Sequence, residues 1–120
     1  MTGLLVLAHG SREKETEATL EKIVALLQKK LEAVPIERAF LQFSDNDLRN
    51  GLAKLRDSGI KDIKVIPYFL FEGVHIKEDI PKELMEFKEE YPDVHITLGR
   101  SLGDDHRLAE ILADRIQELI

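Results

Sequence analysis

The chain has no cysteine, which excludes disulfides, thiolate metal sites and cysteine nucleophiles. Any metal must then be held by histidine, carboxylate or another oxygen or nitrogen ligand. Positive charge is not in excess either: 17 Lys and Arg stand against 23 Asp and Glu, a formal charge of -6 and a pI near 5.2. Nucleic-acid-binding surfaces are normally basic, so no nucleic-acid partner is expected. No apolar run approaches the roughly 18 residues of a membrane span, and no basic segment precedes a cleavable apolar stretch at the N-terminus. A soluble, cytoplasmic protein without a membrane partner is expected. The glycine-rich patterns G-x-G-x-x-G and G-x-x-x-x-G-K-[ST] are absent, as is the G-x-S-x-G elbow of serine hydrolases. Internal repeats, linkers and low-complexity segments are also lacking, and the expectation is one domain over residues 1–120, long enough to bury a single core.

What is present begins with Leu4-Leu5-Val6-Leu7-Ala8, an unbroken apolar run that stops at His9-Gly10-Ser11-Arg12. Such a run suits an inner strand of a parallel sheet, covered on both faces. From Ser11 to Glu32, the residues Leu20, Ile23, Val24, Leu27 and Leu31 recur at helical spacing and predict a first helix, ended by Pro35. Ile36 to Phe43 predicts a second strand, ending near Gln42. The N-cap-rich Ser44-Asp45-Asn46-Asp47 and the spacing of Leu48, Leu52 and Leu55 predict a second helix, stopped by Ser58-Gly59. Ile63 to Leu70 reads as a third strand whose pairing weakens at Pro67, and Phe71 to Glu78 as loop. A third helix is then expected with Asp79 as N-cap, Pro81 in its first turn and Ile80, Leu84 and Phe87 facing inward. Val94, Ile96 and Leu98 alternate with polar residues in a fourth strand, an edge strand by its pattern. After Gly99 to Gly103, Asp104 or Asp105 caps a last helix with Leu108, Ile111, Leu112, Ile116 and Leu119 on its inner face.

The alternation of strand and helix, with right-handed crossovers, predicts a doubly wound α/β fold: a four-stranded parallel sheet in the order 2-1-3-4, helices on both faces. Ligands bind beyond the carboxyl ends of such strands, at the crevice where the winding reverses. Strand 1 delivers His9 to that crevice, and the segment after strand 3 brings His75. Two imidazoles there suit a divalent metal or proton transfer. His95 reads as a solvated side chain on the polar face of strand 4, and His106 as a polar residue opening the last helix. Gly10 and Gly73 flank the two histidines, where a positive φ or the close approach of a flat ligand would call for glycine. The run Tyr68-Phe69-Leu70-Phe71 should divide by alternation into core and pocket wall. Arg12, Lys77, Arg100 and Arg107, in loops or first turns at the carboxyl edge, are candidates to meet ligand carboxylates.

Taken in order, the H-G-S-R of residues 9–12, Phe40-Leu41-Gln42-Phe43, Pro67 to Phe71 with Gly73, the H-x-K-x-D-I-P of residues 75–81 and the late Leu102-Gly103 resemble the short CbiX-type sirohydrochlorin chelatases over essentially the whole chain. That resemblance implies the chelatase-like, flavodoxin-like version of the fold. It also implies ATP-independent insertion of Co²⁺, or of Fe²⁺ or Ni²⁺, into sirohydrochlorin on the route to cobalamin or sirohaem. The metal is then a substrate, and no permanently bound cofactor is expected. By resemblance His9 and His75 bind the metal, and one of them takes a pyrrole proton. Neutral imidazole is a good ligand for such ions, and its ordinary titration range straddles neutrality. Two ligands also hold the ion loosely enough to surrender it. Arg12, Gln42, Phe71, Gly73, Lys77 and Arg100 are the candidate substrate-binding residues. Larger chelatases are similar to two such domains facing each other, which implies a homodimer here.

One position departs from the pattern. Where many similar chains carry Glu, a third metal ligand, this one carries Gln42, which has no negative charge; Glu72 is the nearest substitute. A tetrapyrrole- or metal-binding homologue without catalysis is therefore an alternative. A small histidine phosphatase is a third reading, opposed by Ala8 where that family's arginine would precede His-Gly.

Overall fold

The computed structural model describes residues 1–120, the side chain of His75 excepted. Its elements run β1 (Thr2–Ala8), α1 (Glu15–Lys30), β2 (Ile36–Phe40), α2 (Leu48–Asp57), β3 (Asp62–Pro67), α3 (Val74–Glu90), β4 (His95–Leu98) and α4 (His106–Gln117). The four strands form one parallel sheet in the order β2-β1-β3-β4, as expected. β1 is inner, and Leu5, Val6, Leu7 and Ala8 are all buried.

The two faces of the sheet are covered unequally. On one, Leu5, Leu7, Ile63 and Val65 pack with Leu48, Leu52 and Leu55 of α2 and Ile80, Leu84 and Phe87 of α3 to form the main core. On the other, Val6, Ala8 and Phe40 meet Leu20 of α1, with Val24 and Leu27 partly buried beside them. Asp47 caps α2 by accepting a hydrogen bond from the Asn50 amide at 2.8 Å, a contact worth about 1 kcal/mol in such positions. Among the described residues, no helix is long and apolar enough to cross a membrane.

Several expected boundaries move. α1 begins at Glu15 rather than Ser11, because the Ser11 hydroxyl accepts from the Glu13 amide and forms a turn ahead of the helix; Ile23 and Leu31 of its expected stripe are exposed. β2 and β3 end at Phe40 and Pro67, before the predicted Phe43 and Leu70. The largest shift is in α3, which starts at Val74 with Gly73 as N-cap. The segment expected to be loop up to Glu78 is helical, Asp79 is not the cap, and Pro81 lies inside the helix. Ile76 explains this, since it lies one turn before Ile80 and packs against the same core; the burial of that stripe outweighs the hydrogen bond lost at Pro81. The inner face expected for α4 is not realised either: none of its residues is buried. Asp105 does cap it, accepting from the Arg107 amide at 2.9 Å.

Candidate active site

β1 carries its chain straight to the carboxyl edge, where His9 emerges exposed. The parallel ladder continues past the strand on both sides. On the β3 side the Tyr68 amide donates to the Leu7 carbonyl at 2.7 Å, which sets the next residue, buried Phe69, beneath the histidine. The His9 and Phe69 rings are 4.2 Å apart between centroids and inclined by 41°. On the β2 side the Leu41 and Gln42 amides donate to the carbonyls of Ala8 and His9 at 2.9 and 3.1 Å. His9 is therefore fixed by its backbone on one flank and by an aromatic ring on the other.

Gly10 completes the turn. Its φ is +83°, and a Cβ there would stand 2.1 Å from the Gln42 carbonyl oxygen, so only glycine fits. The Gln42 side chain is exposed, and the contribution of this residue visible in the fold is made through its backbone. Gly73 is different. Its φ is -88°, an ordinary extended value, and a Cβ there would meet nothing within 4 Å; the positive φ expected of both glycines holds for Gly10 alone.

Arg12 follows the turn and places its guanidinium carbon 5.0 Å from the centre of the Phe43 ring, a cation–π arrangement. Phe43 adopts φ +58°, unusual for a residue with a side chain. It is one of a set of exposed apolar residues that includes Tyr68, Leu70, Phe71 and Leu102, all from the loops after β2, β3 and β4. The expected alternation along Tyr68 to Phe71 is broken, because the chain leaves the ladder after Pro67. Phe69 alone is buried, and Phe71 is 82% exposed. Large exposed apolar groups gathered at one edge of a sheet mark a binding surface rather than a core.

The loops after β3 and β4 are tied together. One oxygen of Glu72 accepts from the Ser101 amide at 3.3 Å and from its hydroxyl at 3.1 Å, and Ser101 is buried. Glu72, the expected substitute ligand, is thus turned toward Ser101. Beside this tie a cavity of about 130 Å³ is lined by Pro67, Glu72, Ile76, Lys77, Leu98 and Gly99. Lys77 belongs to α3 rather than a loop, and Arg100 is exposed on the β4 exit. His75 falls in the first turn of α3 by its backbone; its side chain lies outside the described residues. His95 opens β4 opposite Asp62, at the amino edge of the sheet and away from this region. His106 is exposed beside Asp105, and Arg107 is held by the same carboxylate.

Among the described residues no three of His, Cys, Asp and Glu converge as a metal site. A larger cavity of about 320 Å³ opens between α2 and α3, with Asp47, Glu83 and Glu86 on its wall. Burial, with Glu86 and Asp47 nearby, pushes the Glu83 carboxyl above its ordinary value. Size alone would favour that cavity, but it contains neither His9 nor the Gly10 turn. The smaller cavity does not contain them either; His9 and Gly10 stand outside both, on the open carboxyl edge of the sheet. The residues that sequence reasoning missed are Phe69 as the seat of His9, Phe43 as the partner of Arg12, and Ser101 as the anchor of Glu72. For Phe43, its place directly after Gln42 was the available signal.

The model of the CbiX family matches residues 3–119. A sirohydrochlorin cobaltochelatase of Sulfurisphaera tokodaii is 35% identical, covering 100% of this chain and 95% of its own. A sirohydrochlorin ferrochelatase of Priestia megaterium is 31% identical over 98% of this chain but only 44% of its own length. Among solved structures, the sirohydrochlorin chelatase SirB from Bacillus subtilis subspecies spizizenii in complex with cobalt superposes with a TM-score of 0.83 at 26% identity, covering 98% of this chain and 50% of that one. The chain spans about half the length of these last two proteins. Its fold and its match over nearly every residue agree: the chain belongs to the CbiX family.

Proposed function

We propose that this protein is an ATP-independent chelatase that inserts a divalent metal into sirohydrochlorin, Co²⁺ ahead of Fe²⁺ or Ni²⁺. The observation that carries the proposal is the placement of His9: exposed at the switch point of the sheet and seated on Phe69, with the exposed Phe43, Tyr68, Leu70 and Phe71 in the loops of the same carboxyl edge. Apolar faces beside the histidine suit a flat macrocycle, and Arg12, Lys77 and Arg100 suit its peripheral carboxylates. Relatives whose names specify cobalt and iron support the same reaction.

Insertion replaces two pyrrole N–H protons by one divalent ion. His9 presents the ion through an imidazole lone pair and releases it to the ring nitrogens, and His75 is its partner; one of the two accepts one pyrrole proton and the other proton passes to solvent water. Gln42, Phe71 and Gly73 contribute to the macrocycle's seat. The working unit is the 1–120 domain, acting in the cytoplasm without a permanent cofactor, and it pairs with a second copy of itself. Relatives about twice as long, matched across 44% and 50% of their lengths, support this pairing.

The test is the absorbance change of sirohydrochlorin with Co²⁺, Fe²⁺ or Ni²⁺, with and without protein. Acceleration, greatest for Co²⁺, is the expected result. Because Gln42 carries no charge, a second reading is a binding protein that has lost catalysis; tight sirohydrochlorin binding at the uncatalysed rate, with acceleration gained in Gln42→Glu, would establish it.

A further inference from the structure

Among the described residues, Phe43 alone combines a side chain with a positive φ, +58°. The left-handed region is costly for a bulky L residue, and glycine would take the same backbone freely. The loop imposes this conformation. The Gln42 amide is fixed to the His9 carbonyl at 3.1 Å, and the chain must then turn back so that the Asn46 carbonyl accepts from the Phe40 amide at 2.8 Å. The same loop is tied to α1, where the Ser44 hydroxyl donates to the Glu17 carboxylate. Yet the ring carried by this strained residue is 54% exposed, so core packing does not account for it. Strain kept beside a candidate site points to use rather than to stability.

Arg12 shows what the use is. Its backbone lies in the turn where the Ser11 hydroxyl accepts from the Glu13 amide at 3.1 Å, and its guanidinium carbon stands 5.0 Å from the centre of the Phe43 ring. Among the described residues, Arg38, Arg49, Arg56, Arg107 and Arg115 each pair with a carboxylate, whereas Arg12 pairs with none. An aromatic face holds a guanidinium without neutralising it, because the ring attracts the cation through its quadrupole and brings no net charge. The N–H groups at the guanidinium edge then remain able to take a carboxylate through two parallel bonds.

We infer that Phe43 is a positioning residue: it holds Arg12, with its charge uncompensated, beside the His9-Gly10 turn, so that Arg12 grips a peripheral carboxylate and selects acidic macrocycles. The inference rests on the chelatase reading and assigns substrate selection within it to one pair of side chains. His9 meets the metal, and the pair meets the rim of the ring. Strain at Phe43 is kept because glycine, which would relieve it, offers no face for the guanidinium.

The test is absorbance titration of metal-free sirohydrochlorin into wild type and variants at low and high NaCl. Arg12→Gln is expected to weaken binding on the order of 10-fold and to remove most of its salt dependence. Phe43→Leu, apolar but without a π face, should weaken it about threefold, and Phe43→Tyr should restore it. Because Phe43 acts through Arg12, the double variant Arg12→Gln with Phe43→Leu should bind no more weakly than Arg12→Gln alone. Phe43→Gly should melt no lower than wild type and bind as weakly as Phe43→Leu. In the metalation assay the losses should fall on KM rather than kcat. Wild-type affinity in Phe43→Leu, losses that add in the double variant, or a Phe43→Gly protein that melts well below wild type would each overturn the positioning role while leaving the chelatase reading intact. Wild-type protein that neither binds nor metalates sirohydrochlorin contradicts that reading, and this inference with it.

Discussion

The ring of His9 rests on the ring of Phe69, 4.2 Å between centroids, so that a core side chain seats the imidazole at the sheet edge. Removing that seat should affect chemistry more than stability if the replacement still fills the core. Phe69→Ala is expected to cost about 3–5 kcal/mol by urea denaturation. Phe69→Leu should cost about 1–2 kcal/mol yet lower the metalation rate by roughly 10- to 100-fold, because small displacements of a reacting group carry large rate penalties. Equal rates for Phe69→Leu and wild type would remove the seating role.

Gly10→Ala separates strain from collision. Gly59 also has a positive φ, +94°, but a Cβ there meets nothing within 4 Å, while at Gly10 it meets the Gln42 carbonyl oxygen. Gly59→Ala is expected to cost about 1 kcal/mol from backbone conformation alone and to leave metalation unchanged. Gly10→Ala should cost more and abolish metalation, because the turn that carries His9 must open. Thermal denaturation and the metalation assay on both variants check this.

The strands and their order were legible because an unbroken apolar run such as Leu4 to Ala8 has few homes other than an inner parallel strand, and because Asp47 and Asp105 are strong helix starts. His9 at the switch point follows from that order. The start of α3 was not legible: Pro81 reads as a first-turn residue, and only the packing of Ile76 on the core reveals an earlier turn. Periodicity shows that the α4 stripe needs covering, but not by what. The stacking of His9 on Phe69 depends on ladder register beyond the strand ends, which a single sequence does not encode locally.

Asp62 links the sheet to acid stability. Its carboxylate accepts from the Thr2 hydroxyl at 2.9 Å and lies 3.1 Å from the Lys64 ammonium; these partners hold its pKa below the ordinary 3.8. A carboxyl depressed in the folded state contributes stability above its unfolded value and loses it as pH falls through the folded one. Asp62→Asn should therefore lower stability at neutral pH and flatten the decline below about pH 4. Parallel denaturation curves for variant and wild type across that range would contradict the assignment.

Glu72 faces Ser101, which casts it as a tie between loops rather than a metal ligand. Glu72→Gln preserves an acceptor and is expected to keep metalation within about threefold of wild type, whereas Glu72→Ala, which frees both loops, should raise the KM for sirohydrochlorin with a smaller effect on kcat. A selective loss of Co²⁺ binding in Glu72→Gln, measured by calorimetry, would instead make the carboxylate a ligand.

The central claim is that His9 delivers the metal. The most direct measurement is the initial rate of Co²⁺ insertion into sirohydrochlorin by wild type, His9→Ala and His75→Ala, each shown to be folded by circular dichroism. The expected result is acceleration by wild type and a rate at the uncatalysed control for both variants. Wild-type rates in His9→Ala would contradict the account.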